Sequence, residues 1–526
     1  MHTDARTLEN NSVIEGDVCI IGAGVAGITL ALQFVNTRRK VILLEGGGFD
    51  VDMEMQELYR GKSIGQRYYP LQSARLHYFG GTSGHWGGFC STLDPIDFHK
   101  REWVPYSEWP IQYSDLFPYY RDASRLVELP TSNFDLEYWR TTDPELIPLP
   151  FNEKVVKHKM LQFSPPTRFG KTYRDAIVEA GNIFLYTHAK VVDIRANELV
   201  TNIGSVKVKN MAGKEHVVKA KYFVAACSAM HNARLLLASD TQAKKGLGND
   251  RDLVGRFFMD HLEMMASEIF LQVRQSVKLY RPWVFRETKA RAELRLSDSE
   301  QSQLQILNAT AALMPNHIAE TTPANINSFS SDAEGNVKGW DVLDRNRPMF
   351  FQRWKKEKFR YKHFSFFTRL EQSPNPDSRV TLDGERDALG MRRVILNWKL
   401  TDLEKRSLRS FHEAIGLEAG RSEVGRVKLM EWLLDERDHT WPDILGGGWH
   451  NIGTTRMADS PSKGVVDQHC RVYGIDNLFM AGSSCFPTSG SANPTLTIIA
   501  LTLRLSDHLK SLDFTNNMES RSGLFQ

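Results

Sequence analysis

Four apolar residues in a row, Val18–Ile21, lead into a glycine turn, a mostly apolar stretch Ala26–Phe34 and a second short run over Lys40–Leu44. Short unbroken apolar runs predict buried strands, and the longer stretch between them predicts the crossover helix of a parallel pair. The strand-then-helix order returns twice, far along the chain. Tyr222–Ala226 runs into a helix through Leu237, and after Asn477 a short strand precedes a helix starting near Pro494, where proline in the first turn removes no helix hydrogen bond. Between these segments the pattern changes. "MMASEIFLQV" (264–273) and "RRVILNWKL" (392–400) read as strands of a second sheet, and "TDLEKRSLRSFHEAIGLEAGR" (401–421) as an amphipathic helix capped by Thr401 or Asp402.

The first turn carries chemistry as well as geometry. Gly22, Gly24 and Gly27 form G-x-G-x-x-G: the first allows the turn, the second lets a pyrophosphate approach, and the third lets the helix pack on the strand. The helix amino terminus then faces the phosphates. Glu45, 23 residues after Gly22, stands at the tip of the second strand, where an acceptor for ribose hydroxyls is expected. These residues predict a dinucleotide site without choosing between NAD and FAD. Completion of the sheet by distant segments points to a flavoprotein.

Composition narrows the classes. In 526 residues, 66 Lys and Arg against 63 Asp and Glu give a net charge of +3, too small for a nucleic-acid footprint and too balanced for a disordered chain. Cys19, Cys90, Cys227, Cys470 and Cys485 show no C-x-x-C spacing, so neither a disulfide framework nor a zinc site is expected. The acidic start "MHTDARTLENNSVIEGD" lacks a basic signal region, and the charge-free runs near Val18 and Asn477 are broken by glycine and proline. A soluble protein with a cytoplasmic default is expected, with export alongside a partner subunit left open.

The stretch "FGGTSGHWGG" (79–88) packs five glycines around His85 and Trp86. With it come "SPPTRFG" (164–170), "VGRFFMDH" (254–261), "SRVTL" (378–382), "HNIGTTRM" (450–457) and "GSANPTLT" (490–497). In this order, and over nearly the whole chain, the sequence resembles the glucose–methanol–choline (GMC) oxidoreductase family, in motif its pyranose-oxidase-like and bacterial sugar-dehydrogenase branch. The resemblance implies an α/β fold: a discontinuous, Rossmann-like FAD-binding domain over 1–264 and 439–526, with a smaller sheet-based substrate domain over 265–438. It also implies oxidation of an alcohol to a carbonyl compound, by hydride transfer to flavin N5.

Site residues follow from the same resemblance. Gly81, Thr82, Ser83, His85, Trp86 and Gly87 are expected along the flavin, and Val191, Gly482, Ser483, Pro494 and Thr495 elsewhere on the FAD. His85 matches the histidine that some members bond to the flavin 8-methyl carbon, with non-covalent packing as the other reading; Gly84 before it departs from the common pattern. His450 and Asn493 match the catalytic pair, the histidine as base and the amide as donor to the alcohol oxygen. Gly482 stands where many members carry an acid, and with Asn493 it favours a sugar or polyol substrate. The electron acceptor (oxygen, a quinone or a partner subunit) and the oligomeric state stay open. A lyase with a structural FAD and a non-catalytic flavin subunit are the alternatives. His188, His231, His261 and His469 read as structural residues, and no histidine spacing suggests a metal. Residues 345–362, with eight Lys and Arg against one Glu among aromatics, read as a solvated basic face or a docking or lid segment.

Overall fold

The computed structural model describes residues 1–272, 277–285, 288–315, 363–435 and 437–512; the basic segment 345–362 lies outside them. Among the described residues the strands form two large sheets and a small one. In the first, Val13–Ile21 pairs in parallel with Val41–Leu44 on one side and Glu215–Ala225 on the other. Val41–Leu44 continues to Ile183–Thr187 and thence to His2–Asp4. Glu215–Ala225 is longer than its apolar end suggests and serves two partners along one edge. Its first half pairs antiparallel with Ile203–Lys209, and its last residues, Phe223–Ala225, pair in parallel with Leu478–Met480. That last pairing brings the carboxy-terminal segment to the centre of the amino-terminal sheet.

The helix Val25–Leu32 packs on this sheet with Ile28, Leu30 and Ala31 fully buried; each large aliphatic side chain so enclosed contributes roughly 1.5–3 kcal/mol. Thr495–Ser511 is the last described helix and Pro494 is its N-cap, as the pattern predicts.

The second large sheet is antiparallel and runs in the order Gly425–Leu429, Leu262–Leu271, His363–Leu370, Ala309–Pro315, Thr288–Leu296, Val156–Phe163, Phe89–Cys90. Val156–Phe163 and Phe89–Cys90 thus come to it from the amino-terminal part of the chain. The strand Arg392–Trp398 does not join this sheet. It pairs with Arg379–Arg386 and, in parallel, with Lys62–Gly65, because period-two patterning marks a strand without naming its neighbour. The helix Asp402–Arg421 forms as the pattern predicts, and its cap is Thr401, in a reciprocal capping box with Glu404.

Candidate active site

The glycine turn separates three tasks among three residues. Gly22 has φ +101°, a backbone state that favours glycine, and a Cβ there would stand 2.8 Å from the Ala226 carbonyl oxygen. A Cβ on Gly27 would run into the carbonyl of Gly22, which is the close helix–strand packing expected of the third glycine. At Gly24 nothing of the protein lies within 4 Å of that position. Gly24 therefore borders open space at the amino terminus of the helix Val25–Leu32.

Glu45 closes the cradle. It is buried, and its two carboxylate oxygens accept from the backbone N–H groups of Ala23 and Gly47, each at 2.9 Å. Burial raises its pKa, and those backbone donors oppose the rise. The strand Lys190–Ala196, with Val191 buried, begins beside it: Ala189 N–H donates to the Glu45 carbonyl at 2.8 Å.

The glycine-rich stretch lies directly on this turn. Gly80 N–H donates to the Ala23 carbonyl at 2.8 Å, and a Cβ on Gly81 would stand 3.1 Å from the Cα of Gly24. Ser83 faces the protein, its hydroxyl donating to the Gly80 carbonyl and accepting from Phe169 N–H. Trp86 donates to the Thr167 carbonyl at 2.9 Å. His85 donates its backbone N–H to the Thr82 carbonyl, and its ring stacks 6.0 Å from that of Trp449. A Cβ on Gly87 would meet the Phe89 ring.

The segment carrying His450 is clamped from two sides. Leu262 pairs with Gly447 and Met259 with Ile452, so three peptide steps on one side face five on the other. The surplus bulges outward. Trp449 takes φ +60° at the crest, a conformation that strains a bulky residue, and its carbonyl accepts from Arg75 at 2.9 Å. On the other side Gly453 and Thr455 donate to the carbonyls of Ser483 and Ser484, and the Ser483 hydroxyl donates to the Asn451 carbonyl at 2.7 Å. The His450 segment is thereby joined to the second large sheet and to the turn that follows the strand Leu478–Met480.

On the bulge, His450 N–H donates to Asp260 Oδ1 at 2.7 Å. Its Nε2 lies 3.1 Å from Asn493 Nδ2 and its Nδ1 lies 2.8 Å from Nδ1 of His261. Burial, then the neighbouring His261, Arg369 and Arg75, hold the His450 pKa well below the ordinary value, so its imidazole rests neutral. Asn493 directly precedes Pro494, the N-cap of the helix Thr495–Ser511. Gly482 has φ +105° and, like Gly24, borders open space.

The tasks of four further residues of this cluster are told by no motif. His261 is buried, as a structural histidine would be, yet its ring faces His450. Asp260 accepts from Tyr68 at 2.5 Å and from Tyr69 at 3.1 Å as well as from His450. "VGRFFMDH" marks the two acidic and basic neighbours, but nothing local marks Tyr68 or Tyr69. The other histidines set aside above stay apart from this cluster: His231 stacks on Tyr59 at 3.7 Å and His469 on His508 at 4.1 Å.

The chain thus combines a glycine turn that borders open space with a half-buried His450 in contact with a buried Asn493. Residues 17–247 match the family described as FAD dependent oxidoreductase, and residues 374–502 match GMC oxidoreductase. The chain therefore carries an FAD dependent oxidoreductase domain together with the carboxy-terminal domain of the GMC oxidoreductases. It is similar to 2-methyl-1,2-propanediol dehydrogenase of Mycolicibacterium austroafricanum, 25% identical over 97% of this chain and 98% of that protein. It is also similar to the fructose dehydrogenase large subunit of Gluconobacter japonicus, 24% identical over 95% of this chain and 98% of that protein. Formate oxidase of Aspergillus oryzae RIB40 shares the fold, with a TM-score of 0.56 at 17% identity, over 96% of this chain and 99% of that one. The residues present fit FAD: open space at Gly24 and Gly482, a buried acceptor at Glu45 and a helix amino terminus beside the turn. No helix among the described residues is long and apolar enough to cross a membrane.

Proposed function

We propose that this chain oxidises a CH–OH carbon of a sugar, glycoside or related polyol to a carbonyl, with His450 as base and Asn493 as its positioning partner. The observation that carries the reading is the 3.1 Å contact between His450 Nε2 and Asn493 Nδ2, half-buried on a bulge held by the strand Leu262–Leu271 and by the turn at Ser483. FAD, when bound, supplies the acceptor for the hydride that leaves the C–H carbon. His450 takes the hydroxyl proton at Nε2, which turns the alcohol into a far better hydride donor. Asn493 offers its amide to the same oxygen and fixes the carbon's orientation. Gly22, Gly24, Gly27, Glu45, Val191 and the 81–87 stretch hold the cofactor in this reading, with Gly482, Ser483, Pro494 and Thr495 closing its other side. In this reading the described parts of 1–264 and 439–526 form the cofactor side, apart from the strand Val156–Phe163, which joins the described part of 265–438 on the substrate side.

The preference for polyols rests on Asn493 and Gly482 and on relatives that act on a diol and on fructose. Oxidising and dehydrogenating relatives do not favour the lyase alternative. Anaerobic mixing with a panel of sugars, glycosides, diols and simple alcohols tests the reading: substrates should bleach the flavin. A flavin that stays yellow across the panel would return the lyase or non-catalytic alternatives to the front. Readmitting oxygen or adding a quinone in the same cuvette identifies the acceptor. His85, stacked against the neighbour of the base, is our proposed covalent attachment point; acid-precipitated protein should keep its colour, and quantitative release of free FAD would reject the bond.

A further inference from the structure

A neutral imidazole has one N–H and one lone pair, and only the tautomer with Nε2 unprotonated can take a proton there. In this site the choice is made two rings away. Nε2 of His261 lies 2.8 Å from the Gly490 carbonyl oxygen and 3.3 Å from that of Ser489. Carbonyls only accept, so this nitrogen carries the hydrogen. Burial, followed by the nearby Arg369, pushes the His261 pKa down to about 3, so the ring is neutral and its Nδ1 is a lone pair. Nδ1 of His450, 2.8 Å away, must then donate. That leaves His450 Nε2 as the lone pair, with the Asn493 Nδ2 hydrogens facing it at 3.1 Å. The opposite order would turn the His261 lone pair onto two carbonyl oxygens in a dry interior, an uncompensated polar contact.

We propose that His261 is a positioning residue that holds His450 in the Nδ1–H tautomer, so that the Ser489 and Gly490 carbonyls keep its Nε2 free for the substrate proton. The proposal rests on the reading of His450 as base. When the hydroxyl proton arrives at Nε2, the imidazolium keeps its Nδ1–H on the His261 lone pair and no second proton has to move. The other charged groups around His450 are Asp260 on its backbone N–H, Arg75 on the Trp449 carbonyl, and the ion-paired Arg369 and Glu263. Gly448 lies between: a Cβ there would stand 2.6 Å from His450 Nδ1 and 3.2 Å from Glu263 Oε1.

The direct test is the ring nitrogen spectrum of the holoenzyme labelled with 15N-histidine, the His450 signals being those lost in His450→Gln. Wild type should show His450 protonated at Nδ1 and bare at Nε2; a hydrogen on Nε2 at neutral pH overturns the proposal, whatever the kinetics. In His261→Phe the acceptor is gone, and anaerobic flavin reduction at saturating substrate should slow by about 10- to 100-fold, the usual loss when a group that orients a functional histidine is removed. The imidazolium also loses a partner, so the acid limb of the reduction rate should move to lower pH. His261→Asn puts Oδ1 near the place of Nδ1 and should recover part of the rate. Equal losses in both variants with an unmoved acid limb mark a merely structural histidine and sink the idea. If His450→Ala were without effect on reduction, the base assignment would fall, and the spectrum would still decide the tautomer.

Discussion

At Gly24 the missing side chain leaves open space, whereas at Gly448 it leaves room for a neighbouring imidazole. The two glycine-rich regions look alike in sequence and serve opposite ends. The first is bare towards open space, where we propose the cofactor lies, and is built from one continuous strand–turn–helix. The second is bare towards the protein's own His450, and it is assembled from Met259–Leu262, Gly446–Ile452 and Ser489–Asn493. A ligand cradle of the first kind can be spelled by local spacing. A catalytic cluster of the second kind depends on pairings across the whole fold.

Substitution at each place should separate the two roles. Gly24→Trp fills the open space and should abolish FAD binding, measured as flavin absorbance per protein after gel filtration. An unchanged flavin content would remove Gly24 from the cradle. His450→Ala should do the reverse and keep the flavin while slowing its anaerobic reduction by about 10²–10⁴-fold, roughly 3–5 kcal/mol of barrier. Reduction at the wild-type rate would mean another base.

Gly448→Ala is the sharper version of the same comparison. Its methyl group would press on His450 Nδ1 at 2.6 Å, so the ring must shift, and displacement of a catalytic group by about 1 Å can cost on the order of 10²-fold. We expect a loss of about 10- to 100-fold in reduction with full flavin content. A variant with a normal rate would show that the bulge absorbs the methyl group elsewhere.

The legible part of the molecule is the part whose meaning is local. Gly22, Gly24 and Gly27 announce turn, approach and packing at fixed offsets, and Glu45 follows at the tip of the next strand. The helix Asp402–Arg421 is readable to within one residue of its cap, Thr401 or Asp402, and in the fold Thr401 and Glu404 satisfy each other within one turn. Arg392–Trp398 is readable as a strand but not as a partner of Lys62–Gly65, since alternation carries no address. His261 is harder still. Its burial and its motif are both visible, but its task depends on a ring 189 residues away along the chain. Tyr68 and Tyr69 have no motif at all, and only the fold brings them to Asp260.

Asp260 gives the smallest and most specific effect. Burial pushes its carboxyl up to about 6 from the ordinary 3.8, against the opposing pull of the Tyr68 hydroxyl and the His450 backbone N–H. Between those two values the folded protein holds a proton that the unfolded chain has released, so the contribution of Asp260 to stability declines as pH rises through that window and levels off above it. Asn at this position does not titrate, and its Oδ1 can still accept from His450 N–H. The stability of Asp260→Asn minus that of wild type should therefore rise by about 1–3 kcal/mol as pH climbs from about 4 to 6, then stay level. Urea midpoints across this range measure it, and the glycine cradle should be indifferent: flavin content of the variant should match wild type throughout. A difference that stayed flat with pH would mean that the two tyrosine hydroxyls and the backbone N–H keep Asp260 ionised in the fold, and the clamp under His450 would then be a fixed negative charge.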